Sequence, residues 1–197
     1  IGFYQPSGGA YYYSNGTDGP AGTSPFTSSA VDNRPATTDI IALQYAGTQT
    51  LSFSQAIANP VFAYVSLNGN GYGFDQDFDI LSFGAASDGN ACGYWGCGTS
   101  YKQVVTVNGQ TEYQLLGTGE PHGTLQFRGT FDTVNWRSLS NEFWNGFTVG
   151  VQGTAVEFCT ANPTAPGCVS TGVPEPASLA LLGLGLLGLA AGRRRKG

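Results

Sequence analysis

The last twenty-four residues, Pro174 to Gly197, constrain this chain more than any other stretch, because their pattern does not suit the interior of a folded domain. Pro174-Glu175-Pro176 carries two ring-locked φ angles that a helix interior excludes. Ala177 to Gly192 follows, an uncharged run of Ala, Ser, Leu and Gly. As a helix it would reach about 24 Å, short of the roughly 30 Å hydrocarbon core of a bilayer. Arg193, Arg194, Arg195 and Lys196 close the chain, and their long stems can snorkel to the interface and make up part of the shortfall. A buried core helix would hardly end in four basic residues. A transmembrane helix over 177–192 with a basic tail over 193–196 is therefore expected. The positive-inside rule keeps the tail cytoplasmic and places everything up to about residue 172 across the membrane.

The tripeptide, the short Leu/Gly-rich span and the Arg-rich end together resemble the PEP-CTERM sorting signal of Gram-negative bacteria. The residues that carry the resemblance are Pro174, Glu175, Pro176, Arg193, Arg194, Arg195 and Lys196. It implies recognition by an exosortase, a membrane cysteine protease that removes the tail and passes the protein to the cell surface or matrix. The inner membrane is then a partner before processing. Such a tail sits on many unrelated bodies, so it states a destination and no activity. The run Gly123 to Trp136, with Phe143 to Val151, is also similar to the closing strands of many PEP-CTERM β-sandwiches, which supports fold and provenance alone.

Ahead of the tail, twelve acidic residues face only four basic ones, Arg34, Lys102, Arg128 and Arg137, a net charge of −8 to which the tail adds +3. Such a body excludes nucleic acid as a partner, since that binding is carried by Lys and Arg on phosphate. About 172 residues suffice for one domain with its own core. The chain holds 30 glycines and 13% aromatic residues against 11% charged ones, which suits a loop-rich, exported β protein. It has no methionine, even at position 1, so a start trimmed of its secretory signal is expected. The four cysteines form two local pairs, Cys92 with Cys97 and Cys159 with Cys168. Loop closure favours these pairings as disulfides over the two other connectivities, and an extracytoplasmic setting lets them persist.

Along the body the hydrophobic period is two. A short edge strand is expected around Tyr11-Tyr12-Tyr13, then strands at Asp39–Leu43 and Thr50–Ser54. Val61–Leu67, apolar on both faces, reads as a central strand covered on both sides. Asp77–Phe83 follows, and then Lys102–Val107 and Gln110–Leu116 around Asn108-Gly109, the preferred pair for a tight hairpin. Later strands centre on Leu125 and Phe127, on Val134 and Trp136, and on Phe147 and Val149. Short strands between frequent turns, with no helical period, indicate an all-β fold, a β-sandwich of jelly-roll or Greek-key type. The expected organisation is an exported body over 1–158, a Pro/Thr/Gly linker with a local disulfide over 159–173, and the sorting signal over 174–197.

Four constellations could carry chemistry. Asp75, Asp77 and Asp79 would share one face of an extended strand and offer oxygens suited to a structural Ca²⁺. The preferred reading is a solvated edge whose like charges discourage strand pairing. Because Leu81 and Phe83 share their parity, the strand must bulge or pass from rim into core. His122, the only histidine, lies in a Pro/Gly turn and is expected to bond nearby backbone; no Gly-x-Ser-x-Gly elbow accompanies it. Glu112, Glu120, Asp132 and Glu142 are eligible as a glycosidase pair, but nothing around them marks two as partners. Tyr94 and Trp95 sit inside the small Cys92–Cys97 loop, and Trp144 lies in an Asn/Gly-rich turn. Rigid exposed aromatics of this kind stack on sugars, whereas Trp136 and Trp144 are expected chiefly as core or rim packing.

The expectation is a non-enzymatic surface or extracellular-matrix protein of a bacterium that makes exopolysaccharide, with no cofactor beyond that Ca²⁺. The alternatives are a carbohydrate-binding module using Tyr94, Trp95 and Trp144, and a glycoside hydrolase-like enzyme. An exposed Trp95 beside a groove favours the first alternative, and two carboxylates converging in a cleft favour the second.

Overall fold

The structure, a computed structural model, describes residues 3–5, 12–13, 22–31, 35, 40–84 and 89–168. Among the described residues, twelve strands build two antiparallel sheets. The first sheet holds β1 (Phe3–Gln5), β2 (Ile40–Leu43), β4 (Val61–Val65), β6 (Phe78–Phe83), β9 (Gly123–Phe127) and β11 (Asn145–Gly150), in the order β1-β2-β11-β4-β9-β6. The second holds β3 (Gly47–Ala58), β5 (Tyr72–Phe74), β7 (Gly98–Val107), β8 (Gln110–Gly119), β10 (Thr130–Ser138) and β12 (Gly153–Thr154), in the order β12-β3-β10-β5-β8-β7. Apart from the β7–β8 hairpin, the chain changes sheet at each step from β2 to β12, so most neighbours within a sheet are far apart in sequence.

Alternation of side chains explains why the sheets meet. In β4, Phe62 and Tyr64 point into the core shared by both sheets, while Ala63 and Val65 point to the opposite face. The shared core adds Leu43, Phe78, Leu125, Phe127 and Phe147 from the first sheet to Tyr72, Phe74, Leu115, Val134 and Trp136 from the second. At its centre Phe62 stacks on Phe147 with centroids 4.7 Å apart. The rings of Phe74, Phe127 and Trp136 meet Phe62 edge-on. On the far face of the first sheet Tyr13, Phe26, Ile40, Ala42, Ala63 and Val65 form a second cluster. The central strand is thus covered on both sides, as its two-faced apolar run predicts.

The hairpin at Asn108-Gly109 is present, with φ of 51° and 79° at its two turn residues, the left-handed pair that a tight turn between twisted strands requires. In β6 the register shifts between Ile80 and Ser82, so the strand bulges at the residue where the aspartate and apolar parities collide.

Several expectations are corrected. One edge strand of the first sheet is Phe3–Gln5; Tyr12 and Tyr13 lie outside any strand, and Tyr11 lies outside the described residues. Tyr13 is buried and donates its hydroxyl to the Ala63 carbonyl at 2.9 Å. A short helix, α1 (Ala155–Ala161), appears where no helical period was legible. Thr154 caps it through a reciprocal bond with Glu157, a local signature independent of periodicity. Cys159 lies in this helix and pairs with Cys168, so the residues after 158 begin inside a folded element. No helix among the described residues is long and apolar enough to cross a membrane, and the span expected over 177–192 lies outside them.

Truncating Phe62 to Ala should remove the centre of the core and cost roughly 3–5 kcal/mol. Urea unfolding followed by tryptophan fluorescence measures this. Val104→Thr, on the exposed face of β7, should stay within about 0.5 kcal/mol of the parent.

Candidate functional site

Three chain segments reach one end of the first sheet because of its register. Tyr64 pairs with Phe147 in β11 and with Gly123 in β9. The residues just past β4 (Ser66, Asn68), just before β9 (Glu120, His122) and just before β11 (Glu142, Phe143, Trp144) therefore converge. With Tyr12 and Trp95 they form a cleft of about 390 Å³, lined by Tyr12, Ser66, Asn68, Trp95, Glu120, Glu142, Phe143 and Trp144.

The aromatic wall is held from behind. Cys92 and Cys97 are bridged, and inside the bridge Gly93 and Gly96 exchange backbone hydrogen bonds of 3.0 and 3.2 Å. Tyr94 and Trp95 occupy the tip of this small turn, 49% and 41% exposed. A Cβ at Gly93 would meet the His122 ring at 1.9 Å, so only glycine lets the turn lie on the histidine. Trp95 stacks on Tyr12 at 4.9 Å, with 20° between the planes, and meets Trp144 at 5.2 Å. Tyr12 and Trp144 are 4.9 Å apart, and Tyr94 closes edge-on against Trp95. Phe143 stands 91% exposed on the rim.

The polar side of the cleft is carboxylate. Ser66 adopts φ of 54°, rare for a residue with a side chain, and its hydroxyl donates to Glu120 Oε2 at 2.8 Å. Asn68 Nδ2 donates to the other oxygen of Glu120. Glu142 Oε2 accepts from Asn145 Nδ2 at 2.8 Å, and buried Tyr72 donates its hydroxyl to the Asn145 oxygen, which ties the carboxyl to the core. Glu142 Oε1 is buried and has no hydrogen-bond partner among the described residues. Burial, aided by the negative charge of Glu120 and opposed by the Asn145 bond, pushes the Glu142 carboxyl from its ordinary 4.5 up to about 8. His122 is fully buried behind the wall. Its Nδ1 donates a 2.8 Å hydrogen bond to the Glu120 carbonyl, and burial lowers its pKa, which favours the neutral ring.

The aspartates behave differently from the strand expectation. Asp75 and Asp77 lie in the connection before β6, which begins at Phe78, so the three carboxylates do not share a strand face. Asp77 pairs with Lys102 at 2.8 Å, Asp79 pairs with Arg128, and Asp75 sits 3.5 Å from Asn135 Nδ2. Among the described residues no group of three or more His, Cys, Asp or Glu could hold a metal ion. Glu112 is engaged by Arg137 through two hydrogen bonds, and Asp132 is exposed on the surface. Of the eligible acids, Glu120 and Glu142 alone line the aromatic cleft. Trp136 is core and Trp144 is rim, as expected. The tyrosine run reads from sequence as one that could line a sugar-binding surface, and its middle residue, Tyr12, lines the cleft. Sequence reasoning missed Ser66, Asn68 and Phe143, and nothing local announces the first two, since Glu120 lies 54 and 52 positions from them.

Outside this body, a family model described as the PEP-CTERM protein-sorting motif matches residues 172–196. The chain carries a PEP-CTERM sorting motif. The motif implies an exported, membrane-anchored sorting substrate and processing by an exosortase. Pro174, Glu175, Pro176 and Arg193 to Lys196 fall inside the match, beyond the described residues. No curated protein and no solved structure matches the chain.

The displaced carboxyl makes stability depend on pH. A carboxyl whose pKa is higher in the folded than in the unfolded state favours folding while protonated. Its contribution is complete below 4.5, declines as pH rises, and is gone by about 8. Glu142→Gln is uncharged throughout. Its urea midpoint relative to the parent should therefore climb between pH 4.5 and 8 and level off beyond. A constant difference across that range would show that the carboxyl titrates normally.

Proposed function

We propose that this sorting substrate is a non-enzymatic surface or extracellular-matrix component that holds a glycan chain in the aromatic-walled cleft. The observation that carries the reading is the meeting of Tyr12, Trp95 and Trp144 within about 5 Å of one another beside the Glu120 and Glu142 carboxyls and the Asn68 amide. Sugar rings present apolar C–H faces that stack on aromatic rings, and hydroxyls that bond to carboxylates and amides. A cleft of this size takes one or two sugar units. The expected partner is the exopolysaccharide of a Gram-negative host, to which an exported protein has direct access.

One observation favours a second reading. A carboxyl kept protonated near neutrality beside a second carboxylate is the pairing that glycosidic hydrolysis uses, with Glu142 as proton donor and Glu120 as its partner.

The test is a titration of the full chain with fragments of the host exopolysaccharide, with and without Ca²⁺, read by tryptophan fluorescence. Two of the three tryptophans, Trp95 and Trp144, line the cleft. A saturable change should appear and weaken at least tenfold in Trp95→Ala. A Ca²⁺ requirement would bring the Asp75–Asp79 stretch back into the account. Release of new reducing ends would favour the hydrolase, and a flat titration in both buffers would remove the cleft from the protein's function.

A further inference from the structure

The charge balance of the cleft narrows the ligand class, on the premise that the cleft holds a glycan. Among the described residues the cations Lys102, Arg128 and Arg137 are bound to Asp77, Asp79 and Glu112, away from the cleft. Among the described residues, the cleft lining contains no Lys, Arg or His. Glu120 receives hydrogen bonds from a hydroxyl and an amide, and Glu142 from an amide, all of them neutral donors. Among the described residues the two carboxyls of the cleft therefore have no positive partner, and one buried oxygen of Glu142 has no hydrogen-bond partner.

The opposite wall has the same preference. The faces of Tyr12, Trp95 and Trp144 carry the negative end of the aromatic quadrupole and attract a cation placed over them. Aromatic faces alone would accept any sugar, and carboxylates alone would accept any hydroxyl donor. Both together, with no cation supplied by the described residues, favour a ligand that brings its own positive charge. A glycan rich in uronic acid meets repulsion from Glu120, and a neutral glycan leaves the charge unbalanced.

We infer that the glycan seated between the aromatic wall and the Glu120–Glu142 pair carries a free, protonated amino group: an amino-sugar polymer lacking N-acetylation. The ammonium lies against the Glu120 carboxylate, with the protonated Glu142 carboxyl beside it as a neutral hydrogen-bonding group, and the ring's C–H face lies on the aromatic wall. An acetylated nitrogen has no charge to offer, so the same sugar with its amide intact loses the electrostatic part of the interaction.

Calorimetric titration of the full chain at pH 6, where amino sugars are protonated, tests this with three tetrasaccharides of one linkage. These are β-1,4-glucosamine, its N-acetylated form and the corresponding glucose tetramer. The glucosamine tetramer should bind at least tenfold more tightly than either of the others, and the ratio should shrink between 50 and 500 mM salt. In Glu120→Gln and in the Glu120→Gln/Glu142→Gln double variant that ratio should fall toward one. Circular dichroism confirms that the variants are folded. Equal binding of all three tetramers, or preference for an uncharged one, overturns the amino-sugar inference and leaves the glycan reading standing. No binding by any of them overturns both.

Discussion

The contact on which the rest of the molecule depends is the stack of Phe62 on Phe147. It joins β4 to β11, neighbours in the first sheet whose residues are 85 positions apart in the chain, and it presents the ring against which Phe74 and Trp136 of the second sheet pack. Fixing those two strands in register also fixes where their ends emerge. Ser66 leaves one and Glu142 to Trp144 enter the other at the same end of the sheet. The cleft is thus a by-product of core packing: the aromatic interior sets a register, and the register delivers carboxylates and rings to one rim.

Local signals made much of the fold legible. Asn108-Gly109 announced its hairpin because two successive left-handed residues are what such a turn requires. The two-faced apolar run at Val61 announced a covered central strand, and the clash of parities in Asp77–Phe83 announced a bulge. What escaped was short or long-range. β5 and β12 are three and two residues long, too brief for a period to show. Helix α1 has no buried residue, so no apolar stripe marks it, although its Thr154/Glu157 cap stands in the sequence.

The site was legible only in halves. Tyr94 and Trp95 were recognisable because a disulfide loop holds them out, and Glu120 and Glu142 were recognisable as eligible acids. Nothing in the sequence joined the two sets, since their meeting is a consequence of strand order. The aspartates mislead for the converse reason: close in sequence, they belong to a turn and a strand start, and the fold sends two of them to different cations.

The bridge between Cys92 and Cys97 gives the aromatic wall a history. Thiols stay reduced in the cytosol and pair once they reach an oxidising compartment. Without the bridge the turn carrying Trp95 would keep the Gly93–Gly96 backbone bonds, its seat on His122 and its ring contacts. With the bridge it is also closed covalently, with its excursions curtailed. The wall against which Tyr12 and Trp144 stack is therefore completed only where the bridge can form, and reduction of Cys92–Cys97 would loosen one side of the cleft.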